Sequence, residues 1–542
     1  MFKTLPIFFG FFLFSFVIAR VNAQTVNVVV YVADIPHFTY GPLEDPESSV
    51  GLPTNAGEKI IFNAQAYDPE SPSYYFIVCK TDEIISNAGH PPSCPQGMWC
   101  MSELTENGNN AKCEYMARID DSEENDWFAF LCSFGTGYCS DSYQGSGSQG
   151  SPFYVNHPPE FISVTNNGSD YPSGLIVWSV KSFDPDVIGG RDRTKIFVCS
   201  SPSFSNGRCS DGVYCESELS SNNPTCSYRI PDIEKDNLHK AYVFLVDEHG
   251  MESQSSLQGV ESSFGVNNIY PETMSLVLNQ GRDINLFPNT KTLVKVTATV
   301  SDRNSCSQDE IKSVTASLYR SSVGYQGCKS IYQANNNYCY PSISCSLVEG
   351  ELCEHPKDAT LNYQCDIEVW YYADPTDKGT FFSTDDWKAT LRVEDDNGFV
   401  SEREVSIGVE MNSLISFDLD SGIEYGELNI GQVIDPLSKE TKIRSFSNVG
   451  LDAILYGTDL VNAGEYKISV ENQRYALSKI CFWDAFPLGK GMKYFDLDLK
   501  KPTKTFREKS IYWGIKVPEN TVAGIYSGSN YLIAVKGDVS GW

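Results

Sequence analysis

The sequence predicts an all-β protein made of tandem β-sandwich domains that are stapled by disulfides. Three observations carry this prediction. The 542 residues include 41 Gly, 27 Pro and 30 each of Tyr and Phe, a composition that favours short strands and many turns. Two segments are copies of each other, with a period of roughly 115 residues, the length of one β-sandwich. Seventeen cysteines lie in a chain that begins with an export signal.

Residues 1–23 have the pattern of a secretory signal peptide. Lys3 supplies a positive charge, an apolar run rich in Phe extends over residues 5–19, and small residues precede Gln24. The run is shorter than the ~20 apolar residues that a spanning helix needs, so we expect cleavage, with a retained anchor as the alternative. The sequence shows no second long apolar run. We therefore expect a secreted protein of the extracellular cell surface, with no transmembrane span in the mature chain.

An internal duplication defines the first two domains. Residues 66–131 and residues 182–245 share, in register, a D-P-[DE] turn, a C-x5-C pair with an aromatic residue before its second cysteine, and a following S-E-L. The linkers repeat as well, since F-Y-V-N at residues 153–156 matches F-G-V-N at residues 264–267, and each is followed by a proline that starts an extended segment. Residues 407–412 are a weaker third copy of this linker.

These repeats set the predicted domain borders. We expect three immunoglobulin-like domains over residues 24–155, 156–266 and 267–411, and a C-terminal β-sandwich domain over residues 412–542. Apolar and β-branched runs predict strands at residues 59–66, 174–180 and 292–300, and in the last domain at residues 451–456, 464–470 and 531–535. The dipeptides His249-Gly250 and Asn397-Gly398 predict tight hairpins near the ends of the second and third domains.

Cysteine counts are even in each of the first three predicted domains, which favours pairing within domains. Cys132 and Cys139 occur in the first copy, are both absent from the second, and flank a turn, so we pair them. The four cysteines common to both copies allow three connectivities, which the sequence leaves open. The connectivities that we favour are Cys79–Cys94, Cys100–Cys113, Cys199–Cys209 and Cys215–Cys226.

The other cysteines are assigned less closely. Pairing is left open for the six of the third domain, which are Cys306, Cys328, Cys339, Cys345, Cys353 and Cys365. Cys481 is alone in the last domain. It is either a buried thiol or the site of an intermolecular disulfide.

The net charge of −29 makes nucleic acid and anionic lipid improbable partners, because like charges repel. Solubility is the simplest role of this charge, and Ca²⁺ is the one cofactor that acidic loops would suit. The Ca²⁺ candidates are Asp68, Glu70, Asp184, Asp186, Asp395 and Asp396. Polar turns closed by Asx hydrogen bonds are the alternative. Asn167 opens an N-glycosylation sequon, Asn-Gly-Ser.

The sequence has no G-x-S-x-G, Walker, H-E-x-x-H or Rossmann motif, and we expect no enzymatic activity. The D-P-[DE] turn, the cysteine-containing insertion and the closing hairpin resemble PKD/cadherin-like Ig repeats of exported prokaryotic surface proteins. The likeness covers residues 24–266 well and residues 267–411 loosely. It implies an S-layer-like or envelope-coat subunit that self-associates into a lattice or filament, although SLH-type repeats and an LPxTG signal are absent.

A cell-surface adhesin is the alternative function, with a receptor, a surface glycan or another envelope protein as its partner. Trp99 and Tyr214 occupy matching positions in the two cysteine-rich insertions. They either form a recognition surface or pack beneath the insertions, and we favour packing.

Overall fold

The computed structural model describes residues 30, 32 and 34–538 apart from Asn222 and Ser421, so the predicted signal peptide lies outside the described residues. The described chain is a succession of β-sandwiches, and no sheet in it joins strands from two of the predicted domains. Its only helices are single 3-10 turns, at Gly147–Gln149, Asn279–Gly281, Tyr325–Gly327, Ile331–Gln333, Val470–Asn472 and Phe482–Asp484. None of the helices in this part of the chain has the length and apolar character that crossing a bilayer demands.

The first domain packs the sheet β1-β3-β7 against a sheet in which β4 pairs with β5, β6 and β9. The alternation of β3 buries Ile60, Phe62 and Ala64 on one face, and these side chains meet Trp127 and Phe153 in the core. The strands are β1 His37–Glu44, β2 Thr54–Asn55, β3 Lys59–Tyr67, β4 Ser73–Cys79, β5 Met98–Met101, β6 Thr105–Glu106, β7 Asn110–Met116, β8 Glu124–Asn125, β9 Phe128–Ser133 and β10 Phe153–Asn156.

The second domain repeats this plan with the sheets β11-β13-β18 and β17-β14-β20-β21 around Trp178 and Phe264. The strands are β11 Glu160–Asn166, β12 Ser169–Asp170, β13 Leu175–Phe183, β14 Thr194–Cys199, β15 Phe204–Ser205, β16 Arg208–Cys209, β17 Val213–Glu216, β18 Thr225–Arg229, β19 Leu238–His239, β20 Tyr242–Asp247, β21 Val260–Glu261 and β22 Phe264–Val266.

The third domain has two four-stranded sheets, β23-β24-β28-β27 and β26-β25-β29-β30, around Trp387. Its two longest strands, β24 and β28, pair over 11 residues. The strand predicted from the alternating run at residues 292–300 lies within β24. The strands are β23 Glu272–Leu278, β24 Lys291–Ser301, β25 Ile311–Arg320, β26 Cys339–Ser344, β27 Ser346–Leu347, β28 Thr360–Trp370, β29 Trp387–Asp395 and β30 Val400–Glu404.

The last domain packs β31-β32-β39-β36-β37 against β38-β33-β40, with Trp513 and Tyr475 in the core. The strands are β31 Phe417–Leu419, β32 Lys439–Ser445, β33 Leu451–Gly457, β34 Leu460–Val461, β35 Lys467–Ile468, β36 Gln473–Ala476, β37 Phe486–Pro487, β38 Lys493–Leu499, β39 Arg507–Ile515 and β40 Asn530–Lys536.

The strand predicted at residues 464–470 is largely wrong. Only Lys467 and Ile468 are extended, and Val470 already begins a 3-10 turn. The cause is local, because the Asn462 side chain accepts hydrogen bonds from the backbone of Gly464 and Tyr466 and holds this segment in a turn.

The structure has the five disulfides that were favoured for the first two domains and three more in the third. The first five are Cys79–Cys94, Cys100–Cys113, Cys132–Cys139, Cys199–Cys209 and Cys215–Cys226. The other three are Cys306–Cys353, Cys328–Cys339 and Cys345–Cys365. Cys481 is unpaired and exposed, which contradicts a buried thiol.

The aromatic residues of the two insertions lie in the cores. Trp99 is 8% exposed, donates from its indole nitrogen to the Asp126 carbonyl at 3.0 Å, and contacts Phe153. Tyr214 is half-buried and packs against Phe264. The packing interpretation is therefore confirmed for Trp99, and a recognition role for its ring is wrong.

Candidate functional site

The junctions between successive domains carry several of the buried charged residues in the described part of the chain. We call them the first junction (first and second domains), the second junction (second and third) and the third junction (third and fourth). Each domain has a turn directly after one of its long strands, which are β3, β13, β24 and β32. A side chain of that turn accepts a hydrogen bond from the backbone of the segment through which the chain enters the domain. The four donor and acceptor pairs are Asp34 to Glu70, His157 to Asp186, Ile269 to Asn304 and Leu414 to Asn448.

The D-P-[DE] turns and their counterpart in the third domain are Asx turns. Asp68, Asp184 and Asp302 directly follow β3, β13 and β24, and one carboxylate oxygen of each accepts from the backbone nitrogen two residues later, at 3.1, 3.0 and 2.8 Å. In all three residues the other oxygen is buried and has no hydrogen-bond partner. The Asx interpretation therefore accounts for only half of each carboxylate.

The second junction gathers five carboxylates from two domains. Oxygens of Asp236, Glu310 and Asp396 lie within 4.8 Å of one another, and Asp302 and Asp395 adjoin them. Asp302 is 1% exposed and Glu310 is 4% exposed, and each has a buried oxygen without a partner. Among the described residues, no lysine or arginine forms an ion pair with any of the five.

Burial dominates the electrostatics of this cluster. Burial and then the neighbouring carboxylates Asp236, Asp302 and Asp396 raise the pKa of Glu310 to about 8. Burial, followed by the charge of Asp395, likewise raises the pKa of Asp302 to about 7, although a backbone hydrogen bond opposes the shift. At neutral pH these groups therefore need a proton or a cation to be stable in the folded protein.

The donor set suits a hard divalent cation. Ca²⁺ binds six to eight oxygens at ~2.3–2.6 Å, and carboxylates from several loops are its usual ligands. Asp236, Glu310 and Asp396 would hold the ion, with Asp302 beside them, whereas Asp395 would not be a ligand. Its two oxygens already accept hydrogen bonds from the Asn268 amide (3.0 Å) and the Phe399 backbone (2.8 Å).

The first junction has a smaller acidic cluster in which histidines take part. Asp184, Asp186 and Asp192 place oxygens within 4.8 Å of one another. Burial raises the pKa of Asp184 to about 8. The His157 ring lies 2.7 Å from Asp186, and the hydrogen bond with that carboxylate raises the pKa of the imidazole. Protonated histidine and a metal ion would therefore compete for the first junction.

A second group at the first junction is less suited to metal. Asp192, Glu248 and His249 also bring ligand atoms within 4.8 Å. However, both oxygens of Glu248 accept from Arg193, at 2.9 Å from its backbone and 2.6 Å from its guanidinium. The arginine already neutralises that carboxylate.

The Ca²⁺ candidates named from the sequence divide between sites and turns. Asp184 and Asp186 belong to the cluster of the first junction, and Asp396 belongs to that of the second. Asp68 and Glu70 belong to no such group among the described residues. The first domain also has Ser133 at the end of β9, where the second and third domains have Asp247 and Asp395 at the ends of β20 and β29.

Four acidic residues of the clusters were not predicted from the sequence, and these are Asp192, Asp236, Asp302 and Glu310. The sequence does carry a signal for Asp302. The Asp-Arg-Asn at residues 302–304 follows its strand in the same way as Asp-Pro-Asp follows the equivalent strand of the second domain. The others come from loops that no repeat marks. The predicted glycosylation site Asn167 is exposed, and its amide bonds Leu175 and Val177 in the adjoining strand.

The third junction contains a lysine where the others contain acid clusters. Lys501, in the loop between β38 and β39, is 7% exposed and enters the third domain. Its ammonium lies 3.0 Å from an Asp374 oxygen, 3.0 Å from the Asn337 side-chain oxygen and 2.7 Å from the Tyr372 carbonyl. The ring of Tyr371 also contacts that of Phe446 across this junction.

The fold defines the class of protein as a tandem array of immunoglobulin-like β-sandwich domains with disulfides inside the first three. Disulfides in this number form in oxidising compartments, as in exported proteins. No protein-family model and no curated protein matches the chain.

Solved structures with partial likeness include two sets of extracellular domains and an adhesin. Cadherin domains 3–6 of protocadherin gamma B2 cover 93% of this chain and 99% of their own, at 10% identity and a TM-score of 0.29. The ectodomain of mouse nectin-like molecule 4 covers 62% and 95%, at 10% identity and a TM-score of 0.26. The Yersinia pseudotuberculosis adhesin InvE covers 56% and 68%, at 9% identity and a TM-score of 0.21. Likeness at this level carries no functional argument.

Proposed function

We propose that the protein is a non-enzymatic structural protein of the extracellular cell surface, whose first three domains are held end to end at acidic junctions that bind a divalent cation. The observation that carries the proposal is the second junction, where Glu310 and Asp302 are buried with unpartnered oxygens beside carboxylates of both domains. A bound Ca²⁺ would supply the missing partner and join the second domain to the third.

The ligands of the second junction come from two domains, so a bound ion would affect how far the junction can bend. Asp236 belongs to the second domain, and Glu310 and Asp396 belong to the third. An ion bound by all three would restrict bending at this junction. Removing it would leave like charges facing one another, and repulsion between them would favour an open junction.

Self-association into an S-layer-like lattice or a filament is the finer form of this proposal. It is supported by an apolar face on the last domain, where Tyr494, Ile454 and Ile533 lie side by side on neighbouring strands and the Tyr456 and Tyr531 rings stack at 4.7 Å. Tyr494, Tyr531 and Ile533 are exposed on a protein that is otherwise strongly acidic. Such a face favours contact with another macromolecule, and we propose a second copy of this chain.

Electron microscopy and sedimentation of the purified protein, with Ca²⁺ and with chelator, test this function. Ordered sheets or fibres that Ile533→Lys abolishes would support the coat. A monomer at all concentrations that instead binds a receptor, a surface glycan or another envelope protein would contradict it and favour the adhesin. The matched control is Ile407→Lys, which changes an exposed isoleucine of the third domain.

A further inference from the structure

Lys501 reaches from the last domain into the third domain and meets two side chains there. Its Nζ is 3.0 Å from Oδ1 of Asn337 and 3.0 Å from Oδ1 of Asp374. Asn337 and Lys501 are 164 positions apart in the chain, and the contact joins separate domains. Lysine is seldom buried to this extent unless it is paired with an opposite charge or its amine has a chemical role.

The environment of Lys501 works in part against its positive charge. Burial lowers the pKa of Lys501, although the charge of Asp374 opposes this. Burial raises the pKa of Asp374, although Lys501 and Arg320 oppose it. Transfer of the ammonium proton to Asp374, 3.0 Å away, would leave an uncharged amine beside a protonated carboxyl. A neutral lysine amine is a nucleophile.

Hydrogen bonds hold the side-chain amide of Asn337 in one orientation beside Lys501. Its Oδ1 faces the lysine nitrogen, and its Nδ2 donates to Oδ1 of Asn335 at 2.9 Å and to the Thr503 carbonyl at 3.1 Å. These three contacts fix the plane of the amide, and the lysine nitrogen lies 3.0 Å from the carbonyl oxygen that is bonded to the carbon under attack. Asn337 is half-buried, so a small leaving group has a route to solvent.

We propose that Lys501 and Asn337 condense to form an isopeptide bond that joins the third and fourth domains covalently, with Asp374 as the acid–base group. The Lys501 Nζ–Asn337 Cγ bond forms, the Asn337 Cγ–Nδ2 bond breaks, and the amide nitrogen leaves as ammonia. Asp374 takes two protons in turn from the lysine ammonium, passes one to the leaving nitrogen and releases the other to solvent, so the carboxylate ends in its starting state. The reaction consumes no oxidant, reductant or cofactor.

This inference goes beyond the proposed function and does not depend on it. A covalent third junction would be compatible with a coat subunit and with an adhesin. Metal binding at the second junction involves none of the three residues.

The test is peptide mapping of the full chain by mass spectrometry after reduction and alkylation of the disulfides. We expect one branched peptide that contains Lys501 and Asn337, with a mass about 17 Da below the sum of its two linear parts, the loss of one ammonia. Quantitative recovery of the two linear peptides from folded protein would overturn the proposal. A Lys501–Asp374 link with loss of about 18 Da would also overturn it, because water rather than ammonia would have left.

Variants separate the chemical roles. Asn337→Ser keeps the Lys501–Asp374 ion pair and removes the electrophile, so the branched peptide should be lost completely. Asp374→Asn keeps a polar partner but cannot shuttle the proton, and we expect at least a tenfold lower yield of the branched peptide. If Asp374→Asn fails to fold, the wild-type map and Asn337→Ser still decide the question. A branched peptide in Asn337→Ser would refute the assignment of Asn337.

Discussion

Replacing Glu310 by glutamine removes the charge from a deeply buried member of the second junction. Without a cation, the wild-type carboxyl must remain protonated or be charged among other carboxylates. Its pKa rises from 4.5 to about 8, and each unit of pKa corresponds to ~1.36 kcal/mol. At pH 8 the folded state is therefore about 4 kcal/mol less stable, relative to the unfolded chain, than it is below pH 4.5, because the unfolded carboxyl is fully ionised and the folded one only half ionised. Glutamine avoids this cost but buries an amide without full hydrogen bonding, which costs roughly 1 kcal/mol.

We expect opposite effects of Glu310→Gln with and without Ca²⁺. In chelator at pH 8, the variant should stabilise the third domain by about 3 kcal/mol. In saturating Ca²⁺, wild type should gain stability and the variant should gain little. The assay is scanning calorimetry, with hydrogen exchange in β24 assigning the transition to the third domain. Glu349→Gln, an exposed change in the same domain, is the control.

Two results would refute this reasoning. A variant that is destabilised in chelator would mean that the Glu310 carboxylate makes a favourable interaction within the protein. An equal response of wild type and variant to Ca²⁺ would mean that Glu310 is not a ligand.

Three further predictions follow from the same structure. In chelator, stability of the third domain should fall as pH rises from about 4.5 to about 8, since folded Glu310 and Asp302 hold protons that the unfolded chain has lost, and Ca²⁺ should remove this slope in calorimetric Tm. Trp99→Ala should cost the first domain about 3 kcal/mol in denaturant unfolding, because its ring fills the core, while an unchanged midpoint would contradict that packing. Cys481 should be the one thiol per chain that a thiol reagent labels without denaturant, and two or more labels would contradict the disulfide assignment.

The first two domains were predictable because each provided a check on the other. The duplication aligned four cysteines and isolated Cys132 and Cys139 as a pair, which the structure also joins. The third domain has no partner copy. Its Cys306–Cys353 disulfide encloses the Cys328–Cys339 disulfide in the chain and crosses the Cys345–Cys365 disulfide. The spacing of the six cysteines does not select this connectivity among the possible ones.

The junctions were harder to predict because their side chains come from different domains. Asp184 and Asp186 were visible as a turn that follows a strand, whereas Glu310 and Asp236 lie in loops that only folding brings together. Lys501 shows the same limit, since one lysine in an acidic chain resembles a surface residue. Burial against Asp374 is a property of the assembled domains.

Calcium titration of the full chain by isothermal calorimetry tests the central claim most directly. The account predicts saturable binding to wild type and to Glu349→Gln, and loss of the binding assigned to the second junction in Glu310→Gln. Absence of measurable binding in wild type, or identical isotherms for wild type and Glu310→Gln, would contradict the claim that a divalent cation joins the second and third domains.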